Sequence, residues 1–274
     1  MIELLQLPFF QQALIAALLV GLCAPAVGTF IVQRRLALLG DGIGHVALTG
    51  VALGFLTGTA PVLTAIIVSV AGAVAIELVR ARGRTTGDVA LALLFYGGIA
   101  GGVLLMAIAP GGSNAKLNSY LFGSIATVAA EDLWVIAGLA VAVIGVVAVF
   151  GRELFVLCQD EEVAKASGLP VRLLSMIIAI TAALTVVIAM RVVGLLLVSA
   201  LMVIPVATSQ QFTNGFRATM GLAMLFGVIA AVGGLLSSTL SPKVPPGAAI
   251  VLLALAGFVL ALGVGRFVRR RRAS

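Results

Sequence analysis

The chain has 274 residues, of which 62% are hydrophobic and only 10% charged, with a mean hydropathy of +1.25. A soluble fold of that length has too little interior for so much apolar surface, so the composition requires an integral membrane protein of many spans. The formal net charge of +7 points to no nucleic-acid partner, because the basic residues fall almost wholly between apolar segments, where they mark cytoplasmic loops. The start, Met1 to Gln12, carries Glu3 and no basic residue. That is the wrong charge for the leading region of a signal peptide, so the first span is expected to stay in the mature protein.

A span needs about 20 residues at 1.5 Å each to cross a hydrocarbon core of about 30 Å. Apolar segments of that kind read as residues 10–33, 36–57, 61–80, 88–109, 131–150, 172–190, 192–211, 218–238 and 247–267. With the N-terminus outside, the basic clusters at 34–35, 80–84, 152–172, 217 and 266–272 all land inside. The outer loops near 58–60, 110–130 and 239–246 hold only Lys116 and Lys243, and Arg191 is the one exception. Between 172 and 211 a single residue separates two apolar runs, so two full spans or one sharply broken segment both fit. The expected fold is an all-α integral membrane bundle of eight or nine transmembrane helices. It is expected to be a single transmembrane domain over 1–274, multi-pass in the plasma membrane, with its C-terminus cytoplasmic. Thirty-two glycines suit close helix packing in lipid.

The single histidine lies inside the second span, in Gly40-Asp41-Gly42-Ile43-Gly44-His45. Positions i and i+4 share a helix face, so the carboxylate of Asp41 and the imidazole of His45 point the same way. Ionisable groups cost roughly 2.5–3.5 kcal/mol each at a bilayer centre and mark polar paths when they persist there. The pair is also a ligand set suited to a divalent transition metal. A structural histidine tying two helices through Asp41 fits the spacing equally well. Glu77 lies one turn from Arg80 near the end of its span, where pairing or snorkelling explains it. Trp134 and Tyr120 suit the outer aromatic belt. Glu131-Asp132 reads as a pair of acids opening a helix.

Two connecting stretches stand out. Gly111 to Ser124 is polar, then briefly apolar, and too short to cross; a half-helix dipping into the membrane and a plain outer loop are both open. The cytoplasmic loop at about 151–172 contains Gln159-Asp160 before Glu161-Glu162, a helix start with acids in its first turn. Lys165 follows three to four residues later, and Gly168 with Pro170 ends the helix. The segment is either a solvated connector or a short helix whose Ala164 and Ala166 dock in a partner's groove. Cys23 and Cys158 sit in an apolar span and a polar loop, so no structural disulfide is expected. There is no GxxxxGK[ST] loop, no HExxH and no CxxC, so the chain is expected to be no enzyme, and any ATP must be hydrolysed on another subunit.

Several stretches in register resemble the membrane permease of ATP-binding-cassette importers for zinc, manganese or iron(II). They are Arg34-Arg35-Leu36-Ala37-Leu38-Leu39-Gly40-Asp41 followed by His45, Asp88, and Leu121-Phe122-Gly123. Glu161-Glu162-Val163-Ala164-Lys165-Ala166-Ser167-Gly168-Leu169-Pro170 resembles that family's coupling segment. Val193 to Pro205 and Pro246-Gly247-Ala248 complete the pattern. The resemblance implies a dimer of permease subunits, a homodimer in the simplest case, around one path. It also implies a cytoplasmic ATPase seated on Glu161, Glu162, Ala164 and Gly168, and an extracytoplasmic metal-binding protein. Asp41 and His45 would contact the ion in transit, with no cofactor held permanently. The family pattern carries an aspartate where this chain has Asn118, implying a weaker or differently tuned outer site.

Two rival readings have distinct requirements. A permease for a metal chelate such as a siderophore or cobalamin needs a wide path without an inward acid–histidine pair. A secondary transporter driven by an ion gradient can use Asp and His as a proton relay, and such carriers often show two inverted halves. No repeat of Asp-x-x-x-His occurs in the second half. The charge pattern makes one direct prediction. A cysteine introduced beside Lys243 should react with an impermeant thiol reagent on intact cells, and reaction only after the cells are opened contradicts the topology.

Overall fold

The computed structural model describes residues 7–81, 87–109, 114–123, 130–239 and 244–272. Within them the chain forms eleven helices. These are α1 (Pro8–Gln33), α2 (Leu39–Thr57), α3 (Pro61–Ala81), α4 (Gly87–Ile108), α5 (Asn114–Phe122) and α6 (Ala130–Gln159). They continue as α7 (Glu161–Ala166), α8 (Val171–Met190), α9 (Val198–Ser209), α10 (Phe216–Ser238) and α11 (Pro246–Arg272). Eight are long and apolar enough to cross a membrane: α1, α2, α3, α4, α6, α8, α10 and α11. Arg82, Arg84, Lys243 and Met1 to Gln6 lie outside the described residues, as do 110–113 and 124–129 of the outer loop. The side chains of Asp88, Lys116, Glu131 and Asp132 do too, together with those of the arginine tail.

Burial divides the helices into a centre and a rim. The apolar windows of α1 and α8 are 72% buried and that of α2 is 67%, against 17% for α6 and 28% for α11. α1 packs on α6, α8, α9 and α10, and α2 packs on α3, α4, α8 and α9. Lipid tails are as apolar as leucine, so contact in the membrane depends on backbones coming close. A Cβ on Gly28 of α1 would fall onto the Met202 carbonyl of α9. A Cβ on Gly98 of α4 would lie 2.6–2.9 Å from the backbone of His45. Pro25 interrupts the hydrogen-bond ladder of α1; the Thr29 hydroxyl donates to the Pro25 carbonyl at 2.8 Å, and the ring fills the space above Gly227 of α10.

Residues 172–211 do not form two full spans. α8 ends at Met190, residues 191–197 are non-helical, and α9 has only 12 residues. Twelve residues rise about 18 Å, too little to cross alone. The expected span at 192–211 is therefore a broken segment. Its unwound backbone is paired inside the protein: Leu195 N–H donates to the Tyr120 carbonyl at 2.9 Å and Leu196 N–H to the Leu121 carbonyl at 3.2 Å. Gly194 adopts φ +89° and Gly123 φ +74°, conformations that disfavour any side chain. A Cβ on either would strike the other segment's backbone, and one on Gly247 would strike both. The outer stretch 114–122 is accordingly a short helix whose end docks on the break. Arg191, the exception to the charge rule, lies with its guanidinium carbon 5.2 Å from the centroid of the Tyr120 ring.

α6 runs to Gln159 over 30 residues, about 45 Å. Gly151 to Gln159, expected to belong to the cytoplasmic loop, continue this helix because Leu154 and Leu157 still bury against the core. Only 160–170 remain as the connector. Glu77 accepts from Arg80 Nη1 at 2.9 Å, as its spacing anticipates. Cys23 and Cys158 are both free. The glycine contacts yield a prediction. Gly28→Ala should destabilise the fold by about 1–3 kcal/mol, the usual cost of overpacking. Gly97→Ala, where a Cβ meets nothing within 4 Å, should leave the thermal midpoint in detergent unchanged.

Candidate functional site

α2 starts one turn before its chemistry. Asp41 stands in the first turn, where a carboxylate complements the helix dipole. His45 follows one turn later with Nε2 4.0 Å from Asp41 Oδ1. The His45 side chain is 8% exposed and that of Asp41 27%. The two groups therefore share a face and a partly open space, without touching. Ser199, at the start of α9, donates a long hydrogen bond of 3.5 Å to Asp41 Oδ1. Phe95 of α4 meets the imidazole edge-on, with ring centroids 4.4 Å apart.

His45 Nδ1 is buried and has no hydrogen-bond partner among the described residues. Buried polar atoms are nearly always paired, and an orphan has a cost. The nitrogen facing Asp41 is Nε2, and the 4.0 Å gap that a tie histidine would close stays open. A divalent cation sits about 2.0–2.2 Å from imidazole nitrogen and carboxylate oxygen. Donors 4.0 Å apart need only a small side-chain movement to share one. Among the described residues no third His, Cys, Asp or Glu joins the pair. Asn118 is exposed on α5, a different element from the α2 that carries Asp41 and His45.

The second group of singled-out residues lies on α7. Asp160 caps the helix: its Oδ1 accepts from Glu162 N–H at 2.8 Å and Val163 N–H at 3.1 Å. Lys165 Nζ lies 3.0 Å from Glu162 and 3.2 Å from Glu161. Hydrogen bonds from Glu162 and then Glu161 hold the Lys165 ammonium above its ordinary pKa. The helix stops at Gly168, φ +75°, with Leu169 N–H donating to the Ala164 carbonyl at 3.0 Å, a paired C-terminal turn. Ala164 is fully buried, so it seats α7 on the bundle and does not present a surface. Glu161, Glu162, Ala166 and Gly168 stay exposed.

Several side chains at these sites escaped the sequence reading. Arg34, read as half of a topogenic pair, has a side chain only 9% exposed. It donates to Ser175 Oγ at 2.8 Å and to Glu161 Oε2 at 3.3 Å, so it ties α7 to α8 and to the turn before α2. An arginine bordering a span gives no sign of being internal. Ser199 and Phe95 carried no signal either, because their roles depend on which helices meet.

Eight crossing helices around a broken segment, with an acid–histidine pair on the central α2, define a polytopic membrane permease. Comparison with known proteins specifies the kind. Residues 6–265 match the model of the ABC 3 transport family. The chain is 36% identical over 259 residues to "Manganese transport system membrane protein MntC" of Halalkalibacterium halodurans, covering 94% of this chain and 88% of that protein. It is 31% identical over 267 residues to "Manganese import system permease protein ScaB" of Streptococcus parasanguinis, with 97% and 94% covered. The solved structure "PsaBC from Streptococcus pneumoniae in complex with Fab" matches at a TM-score of 0.85 and 33% identity, covering 95% of this chain and 93% of that one. The chain belongs to the ABC 3 transport family. That membership sets aside the carrier driven by an ion gradient.

Proposed function

We propose that the chain, folded as one permease domain, is the membrane subunit that passes a divalent transition metal, manganese foremost, into the cytoplasm. The observation that carries this reading is the Asp41–His45 pair: two ligating groups on one helix face, partly open, with imidazole Nε2 turned toward the carboxylate at 4.0 Å. An imidazole plus a carboxylate without thiolate suits manganese, ferrous iron or zinc. The manganese systems named for the relatives favour the first. The ion is cargo and no cofactor is held permanently. A transit site has to bind weakly enough to release, and two protein ligands per subunit meet that need. A second permease subunit, a homodimer in the simplest case, would supply a second pair across the path.

The remaining partners follow from the same reading. A separate cytoplasmic ATPase drives the cycle, with α7 as its docking element, and an extracytoplasmic metal-binding protein delivers the ion. Glu162, Val163, Ala166 and Gly168 form the outward side of α7, while Ala164 anchors it. The arginine-bearing ends and the C-terminus face the cytoplasm of a plasma-membrane protein. Asn118 would tune an outer contact.

Two experiments test the proposal. Asp41→Ala or His45→Ala should reduce radioactive manganese uptake by about fivefold to a hundredfold, the equivalent of losing one charged ligand contact of about 1–3 kcal/mol, with unchanged protein in the membrane. Normal uptake of manganese, zinc and iron by a well-expressed double variant would return the pair to a structural role. Gly168→Leu, forced into a left-handed backbone, or Glu162→Lys should cut ATP-driven uptake while leaving the permease folded. Unchanged uptake and unchanged co-purification with the ATPase in both would remove α7 from that role.

A further inference from the structure

A cavity of about 830 Å³ opens between α1, α6 and the start of α10, away from the Asp41–His45 pair. Its floor is aromatic: the Phe216 ring lies 4.9 Å from Phe155 and 5.2 Å from Phe30 by centroid. Val147, Val156 and Met220 complete an apolar lining. Two arginines, Arg152 and Arg217, stand at the cavity, both exposed. Neither has an ion-pair partner among the described residues, and no acidic side chain lines the cavity.

Depth along the helix explains why charge and grease meet there. Trp134, 81% exposed near one end of α6, suits one membrane interface. Arg152 follows 18 residues later, about 27 Å along the axis, close to the thickness of the hydrocarbon core. Arg217 is the second residue of α10. Both guanidinium groups therefore lie at headgroup depth, and Val147 and Met220, further along α6 and α10 toward the bilayer centre, lie beside the acyl region. Beyond the cavity, α6 exposes Val141 and Ile144, 72% and 37% exposed, and α10 exposes Leu225 and Ile229, so an apolar track continues into the bilayer.

We propose that this groove is a binding site for an anionic phospholipid of the inner leaflet. The phosphate engages Arg152 and Arg217 over the aromatic floor, and an acyl chain rests on Val147 and Met220. Unpaired arginines recognise phosphate oxygens by charge-assisted hydrogen bonds, and basic pockets between helices on the cytoplasmic side select anionic headgroups. The volume lies in the range of about 300–1,000 Å³ usual for ligand sites. Bound lipid would join α6 to α10, which otherwise meet along a cleft.

The test uses the purified full-length permease in neutral detergent, titrated separately with phosphatidylglycerol and phosphatidylcholine. Phosphatidylglycerol should raise the thermal midpoint by several degrees and stay bound in native mass spectra, with a preference on the order of tenfold over phosphatidylcholine from two surface arginines. Arg152→Gln with Arg217→Gln should abolish the preference, and the paired lysine replacements should keep it. Equal responses to the two lipids in the unaltered protein would overturn the proposal, as would an undiminished preference in the glutamine variant. Gly151→Phe provides a second route, because a Cβ there meets nothing within 4 Å and the ring fills the groove without touching the charge. It should displace the lipid, and retention would likewise count against the site. Efficient cross-linking of Ala218→Cys between two copies would assign the groove to a second permease subunit instead.

Discussion

Everything at the centre of this molecule depends on backbone hydrogen bonds that are satisfied without water. Inside a bilayer an unpaired N–H or carbonyl costs several kcal/mol, so a span can break only where other protein supplies partners. Residues 191–197 are such a break, and the end of α5 supplies Tyr120 and Leu121 carbonyls to Leu195 and Leu196. Because that pairing frees the chain from continuing α8, α9 can start in the interior. There it brings Ser199 to Asp41 and Met202 against both α1 and α2. The polar face of α2 is built by its neighbours' irregularity as much as by its own sequence.

The same frame explains the electrostatics. Asp41 is stabilised by the dipole of α2 and a long bond from Ser199, which leaves its carboxylate partly free. His45 is held by packing: Phe95 against its ring, Gly98 against its backbone. Rigid apolar support combined with unspent polar capacity is what the proposed ligand pair needs to hold an ion briefly. On the opposite side of the chain's chemistry, α7 is held in the reverse manner, by charge. Arg34 and Lys165 both reach Glu161, and one buried alanine fixes the helix to the bundle.

Much of this was legible in the sequence, for identifiable reasons. The spans followed from hydropathy and length, the pairing of Glu77 with Arg80 from helical spacing, and the capped helix from Asp160, Gly168 and Pro170. That Asp41 and His45 share one helix face followed from their i,i+4 spacing. What could not be read was tertiary. At 172–211 two full spans and one broken segment fitted the sequence equally, since the carbonyls that pair the break lie far away along the chain, in α5. The extension of α6 past Phe150 was hidden because Arg152 and Glu153 mimic a loop, although Leu154 and Leu157 behind them bury against the core. Ala164 reads as a docking residue until its surroundings show that it faces inward. Ser199 and Phe95 become visible only when α4 and α9 are placed beside α2.

The meeting of Gly123, Gly194 and Gly247 carries a mechanical implication. Three separate stretches of main chain touch there with no side chain between them. Side chains are the compliant layer of a protein interface, able to change rotamer as helices slide; main chain against main chain has no such slack. The end of α5, the break before α9 and the start of α11 therefore move as one rigid body. Any alternation of access must find its hinges outside that knot.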